Sequence, residues 1–258
     1  MQVDAFADRP FCGNPAVVCR PGDPLDPELM QRIAREMNVS ETCFLVPRDD
    51  GFHLRWFTPT TEVDLCGHAT LAAAYGLWSE WGFDGESIHF ETLSGTLTAR
   101  RRDGLIWLDF PSETADGAVM PDQLAAAVPV KPIYVARNRL DYLVELKSES
   151  EVRSICPDLV MLKALPFRGL IVTARAEETK EADFVSRYFA PYFGIDEDPV
   201  TGSAHCALGP FWAGRLEKQE LLGYQASDRS GWVHVNVRGD RVDIGGKAVT
   251  VAQGTLRV

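Results

Sequence analysis

The spacing of apolar positions changes repeatedly along the chain, and each change predicts an element. Residues 3–6 and 16–19 are short apolar runs on either side of the turn-rich Arg9-Pro10-Phe11-Cys12-Gly13-Asn14-Pro15, which reads as strand, loop, strand. Leu29, Met30, Ile33, Ala34 and Met37 share one helical face behind Asp26-Pro27-Glu28, which supplies a cap, a first-position proline and a first-turn acid. Residues 42–46 and 52–57 flank Asp50-Gly51 as a hairpin. Residues 68–81 are apolar on nearly every side, the pattern of a helix buried all round. Strands follow at 87–92, 96–101 and 105–110, the last two meeting at Asp103-Gly104. The second half shows the same mixture: strands near 133–136, 142–145 and 170–173, a buried helix after Gly202, then strands at 232–237, 241–244 and 248–251. Pro210 falls inside that second helix and is expected to kink or shorten it.

A longer-range pattern overlies these elements. Arg55-Trp56-Phe57-Thr58-Pro59 returns as Arg187-Tyr188-Phe189-Ala190-Pro191, about half the chain later. Each copy leads to an acid, a glycine and a run of small apolar residues: Asp64-Leu65-Cys66-Gly67-His68-Ala69 and Asp198-Pro199-Val200-Thr201-Gly202-Ser203-Ala204. Two copies are too few for a solenoid and suit a duplicated enzyme with pseudo-two-fold symmetry and a cleft lined by the matching segments. The expected fold is α+β, with two pseudo-symmetric lobes, each a curled mixed or antiparallel sheet around a central buried helix. The stretch from Pro111 to Pro121 is the best linker, dividing residues 1–112 from 113–258, with the final strand free to cross back to the first lobe. No strand–GxGxxG–helix unit and no Walker motif occurs, and Gly245-Gly246-Lys247 reads as a tight strand turn.

Composition narrows the class. At 258 residues with 45% apolar and 24% charged residues, the chain is average for a soluble globular protein. No stretch approaches the roughly 18 apolar residues of a membrane helix, and Met1–Phe6 lacks the features of a signal peptide. The net charge of −11 argues against nucleic acid, and Arg100-Arg101-Arg102 before Asp103-Gly104 reads as a solvated hairpin end. The six cysteines form no C-x-x-C and no zinc-like pairing with histidine, so they are expected to be reduced thiols in a cytoplasm, with no metal.

The candidate chemistry gathers at the two predicted helix starts. Helices opening at Gly67-His68 and Gly202-Ser203 would present unpaired N–H groups and a positive dipole end to a substrate carboxylate. Asp198 stands out from the run Asp196-Glu197-Asp198, whose first two acids read as a solvated loop. His68 at a helix start should favour its neutral form and act as a hydrogen-bonding group or proton relay. His205 and Cys206 read as core. Glu41 stands between a helix and an apolar strand, and the residues alone leave it open between an exposed loop end and a proton carrier.

Asp4-Ala5-Phe6, Gly13-Asn14-Pro15-Ala16, Ser40-Glu41-Thr42, Gly67-His68-Ala69-Thr70 and Asp198 to Ala204, in this order, resemble the phenazine-biosynthesis PhzF-like family of the diaminopimelate-epimerase-like superfamily. The likeness runs to Gly245-Gly246, Val249-Thr250-Val251 and Gly254. It implies a two-lobed isomerase with its site between the lobes, no cofactor and assembly as a homodimer. It matches Glu41 to the general acid/base that moves a proton within a small carboxylate substrate. His68, Asp198 and Ser203 match residues that bind and polarise that substrate, and Gly67 and Gly202 match backbone donors. Cys66 departs from the phenazine enzyme, and its counterpart is Thr201 rather than a second thiol, which disfavours a symmetric two-thiol racemase. Cys66 remains open between a single thiol base and a small packing residue. The alternatives are a Cys66-dependent epimerase or dehydratase of an amino or hydroxy acid, with Thr201 in the second slot, and a non-catalytic anion-binding protein.

Overall fold

The computed structural model describes residues 1–257 and divides into two compact units, Met1–Asp109 with the segment from Gly245, and Phe110–Ile244. The first unit opens with β1 (Gln2–Ala5) and β2 (Asn14–Cys19), paired antiparallel. Helix α1 (Pro27–Met37) follows, and its boundaries have local causes. Asp26 accepts a hydrogen bond from Glu28 N at 2.8 Å, Pro27 fills the first turn, and Asn38 ends the helix in the left-handed region at φ 49°. Its buried face, Met30, Ile33 and Ala34, packs on Phe44 and Phe57, whose rings meet edge to face at 5.5 Å.

Strand β3 (Glu41–Arg48) runs parallel to β2 and forms a hairpin with β4 (Gly51–Phe57). After the short β5 (Glu62–Val63) comes α2 (Gly67–Ser79), buried on all sides from His68 to Ala74 and lying against β1, β2, β3 and more distant strands of the same unit. Strands β6 (Ser87–Thr92), β7 (Gly95–Arg102) and β8 (Leu105–Pro111) complete the N-terminal part. Asp103 and Gly104 both have positive φ, 55° and 73°, the two-residue turn that matches strand twist, and Arg100 to Arg102 are exposed there.

The second unit contains β9 (Asp116–Gly117), α3 (Asp122–Ala127), β10 (Tyr134–Arg137), β11 (Asp141–Glu145), α4 (Glu149–Ser154), α5 (Leu159–Lys163), β12 (Gly169–Arg175) and β13 (Phe184–Phe189). Helix α6 (Gly202–Leu216) and strands β14 (Glu220–Gln225), β15 (Gly231–Arg238) and β16 (Arg241–Gly246) follow. Finally β17 (Ala248–Ala252) pairs antiparallel with β1. Each unit thus combines strands in mixed pairing with one long, largely buried helix, the α+β architecture expected from the residue pattern.

Two expectations require correction. Of the kink or shortening expected at Pro210, the shortening does not occur: α6 runs 15 residues through it. The missing N–H would leave the Cys206 carbonyl without its helical donor, and Glu113 N supplies one instead at 3.0 Å. Gly245 and Gly246 are not a turn but the end of β16. A methyl group on Gly245 would lie 2.7–2.9 Å from the Trp107 ring, and one on Gly246 would lie 2.5 Å from Phe6, so both glycines make room for aromatic packing.

The duplication persists in the side chains. Arg55 grips Glu62 through two hydrogen bonds of 2.7 and 2.8 Å, and Arg187 grips Glu197 through two of the same lengths. Each guanidinium also lies over the phenylalanine two residues on, 5.3 Å from Phe57 and 4.9 Å from Phe189. Glu197 is therefore an ion-pair partner rather than the solvated loop residue expected, while Asp196 is exposed.

Candidate active site

In the first unit, the parallel pairing of β2 with β3 places Glu41 opposite Ala16 at the start of β3, where it is only 9% exposed. Its Oε2 lies 3.0 Å from Nε2 of His68, the second residue of α2. The contact is ion-pair close but off the axis of a hydrogen bond, and neither atom has another hydrogen-bond partner. On the other side of the ring, Nδ1 lies 3.5 Å from the Cys66 thiol. Cys66 is the N-cap of α2, makes no capping bond with its side chain, and has its carbonyl held by Thr70 Oγ1 at 2.6 Å. One imidazole therefore bridges a thiol and a carboxyl group inside a buried cluster.

The surroundings of His68 oppose the neutral form expected from its place at a helix start. Burial pushes its pKa down, but the Cys66 sulfur and the Glu41 carboxylate, on opposite ring nitrogens, raise it well above the usual histidine value. The Cys66 thiol is itself pushed up from its ordinary value by burial and then by the Glu41 charge, with His68 opposing. Gly67 is half-buried beside them.

In the second unit, α6 starts in the corresponding way. Thr201 is its N-cap and also makes no capping bond. Its hydroxyl instead donates to Asp198 Oδ2 at 2.5 Å, while its N–H donates to Gln225 Oε1 at 2.9 Å. Gln225 Nε2 donates to the Asp198 carbonyl at 2.7 Å, so one fully buried amide ties Asp198 to the helix start. His205 Nδ1 donates to the Thr201 carbonyl at 2.8 Å, one turn in, as Thr70 does for Cys66. Burial drives the His205 pKa down to about 4 despite that bond, so it is a neutral core residue. Gly202 is buried and Ser203 half-buried.

Strand register reveals an asymmetry. Phe57 pairs with Thr42, which follows Glu41, and its repeat partner Phe189 pairs with Leu170, which follows Gly169. The place of Glu41 is thus held in the second unit by a glycine. A side chain there would overlap Tyr188, whose hydroxyl donates to Asp141 Oδ1 at 3.0 Å; Asp141 in turn takes two hydrogen bonds from Arg168. Burial, then the Asp141 charge, pushes the Tyr188 pKa far up, so the phenol stays protonated. Gly169→Ala is expected to destabilise the protein by about 1–3 kcal/mol through overpacking against the Tyr188 ring, read as a lower urea midpoint.

Glu41, Cys66, Gly67 and His68 are therefore brought together, and so are Asp198, Thr201 and Gly202 with Ser203 beside them. The residue pattern missed Gln225 and the Asp141–Arg168–Tyr188 cluster. For Gln225 no local signal existed; for Tyr188 the signal was its repeat partner, Trp56.

A family model described as phenazine biosynthesis-like protein matches residues 3–254. An isomerase of Halalkalibacterium halodurans, described as uncharacterized, is 50% identical over 256 residues, covering 98% of this chain and 96% of the relative. The crystal structure of a PhzF-family phenazine biosynthesis protein from Enterococcus faecalis matches with a TM-score of 0.95 and 42% identity, covering 100% of this chain and 98% of that one. A probable proline racemase from Agrobacterium radiobacter, 15% identical with a TM-score of 0.65 and covering 100% of this chain and 92% of its own, shares the fold. The chain belongs to the phenazine biosynthesis-like, or PhzF, family.

Proposed function

We propose that the protein is a cofactor-independent isomerase that moves a proton on a small carboxylate substrate, with Glu41 as the acid/base. The observation that carries this reading is the buried Glu41–His68 pair at the start of α2, together with the glycine at the equivalent place in the second unit. One carboxyl group suits a reaction in which a single group takes and returns the proton. Glu41 removes a C–H proton, the electron pair moves into the adjoining carbonyl or alkene system, and protonated Glu41 returns the proton at another carbon. His68, held in its cationic form, stabilises the charge that develops on the substrate. Backbone N–H groups at Gly67 and Gly202 receive carboxylate oxygens, Asp198 and Ser203 bind and polarise the substrate, and Cys66 and Thr201 shape the two helix starts. A homodimer in the cytoplasm belongs to the same reading; among the described residues no helix is long and apolar enough to cross a membrane.

The test is incubation in heavy water with a panel of small amino, hydroxy and cyclic carboxylates, with deuterium uptake read by mass spectrometry. Uptake that depends on Glu41 supports the reading; uptake unchanged in Glu41→Ala overturns it.

A second reading, in which Cys66 is the base, draws on its 3.5 Å contact with His68. The raised thiol pKa and the Thr201 in the partner slot oppose it. Iodoacetamide is expected to label exposed Cys156 while Cys43, Cys66 and Cys206, all buried, stay unmodified in peptide mass maps, with deuterium exchange retained. Cys66→Ala is likewise expected to keep exchange; its loss there would favour the thiol reading.

A further inference from the structure

We propose that Glu41, Cys66 and His68 form a three-donor site for a thiophilic divalent cation of the zinc class, and that its occupancy switches off the proton transfer assigned to Glu41. Spacing along the chain showed no zinc-like pairing of cysteine with histidine. The fold supplies one by bringing the first residue of β3 against the first turn of α2, so that one ligand atom from each of the three residues lies within 4.8 Å of the others. Tetrahedral zinc bonds of about 2.0–2.3 Å imply donor–donor edges of about 3.4–3.6 Å. The existing contacts, 3.0 Å from His68 Nε2 to Glu41 and 3.5 Å from His68 Nδ1 to Cys66, bracket that scale, and the 4.8 Å bound leaves about 1 Å for the side chains to draw in around an ion. They use opposite ring nitrogens, so a metal bound through one nitrogen opens the contact at the other.

Three further features favour a metal over a merely packed cluster. The residues are 9%, 7% and 6% exposed, so the donors are already largely stripped of water. Glu41 Oε2 and His68 Nε2 face each other without a hydrogen bond to any other group, so a cation that displaces the His68 proton breaks no other bond at these two atoms. The set of one sulfur, one nitrogen and one carboxylate oxygen matches three-ligand zinc sites that keep a fourth position open; binding releases the Cys66 thiol proton and one His68 ring proton to solvent, and the resulting thiolate and the carboxylate balance a double positive charge. A single oxygen donor is too few for magnesium or calcium.

The blocking effect, unlike the site itself, rests on the acid/base reading of Glu41, so binding and activity are read separately. Full-length protein stripped with a chelator is titrated with Co²⁺, following thiolate-to-cobalt charge-transfer absorption, and with Zn²⁺ by calorimetry. The expected result is one equivalent per chain. Cys66→Ser should lose the charge-transfer band, and His68→Ala and Glu41→Gln should each weaken Zn²⁺ binding by about tenfold or more. Circular dichroism melts identify any variant that fails to fold, and the conservative Cys66→Ser variant carries the test if another does. Absence of saturable binding, or binding unchanged in Cys66→Ser, overturns the site, and leaves the Glu41 assignment to its own deuterium assay. Zn²⁺ should also suppress deuterium exchange in the wild-type protein, with chelator restoring it. Exchange that persists at saturating Zn²⁺ overturns the switching role.

Discussion

Replacing Glu41 with Gln is expected to lower substrate deuterium exchange by about 10²–10⁴-fold, the range attributed to a positioned general acid/base. The amide keeps the shape of the side chain at the start of β3 but cannot accept and return a proton. The fold should survive, because removing the Glu41 charge does not strand a cation: His68, losing one of the partners that raise its pKa, can release its proton. The melting temperature is therefore expected to stay within a few degrees of the wild type, which separates lost chemistry from lost structure. Glu41→Asp should retain part of the exchange, since it keeps the carboxyl group at a shorter reach. Exchange in Glu41→Gln equal to that of the wild type would end the acid/base assignment.

The largest stability effect is expected in the second unit, at Glu149. Its side chain is fully buried at the start of α4 and serves as a clamp on the loop after β12. It accepts hydrogen bonds from the backbone N–H groups of Glu177, Glu178 and Thr179 at 2.9, 2.8 and 3.1 Å, from Thr179 Oγ1 at 2.6 Å, and from Arg153 Nε at 2.9 Å. Glu149→Ala leaves these donors without their acceptor and is expected to cost about 3–5 kcal/mol, measured by urea unfolding.

The same site sets a pH dependence. Burial alone would raise the Glu149 pKa, but the hydroxyl and backbone donors outweigh it and hold the group at about 2 against an ordinary 4.5. The folded state thus binds this proton less readily than the unfolded chain. The stabilisation is complete above about pH 4.5 and is lost as pH falls through about 2. Urea midpoints taken across that window should fall more steeply for the wild type than for Glu149→Gln, and equal slopes would remove Glu149 as the cause.

The fate of individual elements shows which information was local. Helix α1 was legible because its cap, proline, acid and apolar face all lie within a dozen residues, and α2 because every side was apolar. The turn at Asp103-Gly104 was legible from two residues. Helices α4 and α5 were missed although Ser148 and Asp158 cap them, since six and five residues are too few to display a period. Strands β13 and β14 were missed for a different reason. Phe184–Phe189 was visible as a repeat but not as a strand, and Glu220–Gln225 includes a glycine and polar positions whose burial is set by neighbours distant in the chain. Glu197 was misread because its partner Arg187 lies across a turn, although the Arg55–Glu62 pair in the first copy offered a precedent.

The sequence by itself determined the duplication, the two buried helices and their glycine-led starts, because composition, period and caps are properties of adjacent residues. It also carried the family likeness that singled out Glu41. Only the tertiary structure decided what those residues face. The parallel pairing of β2 with β3 sets Glu41 against an imidazole 27 residues later, in the first turn of α2, and the same strand register in the second unit leaves Gly169 filled by Tyr188. The upward push on the His68 pKa follows from that placement, not from its position in the helix. Pairwise electrostatics at about 3 Å depends on contacts between segments far apart in the chain, and no local pattern encodes them.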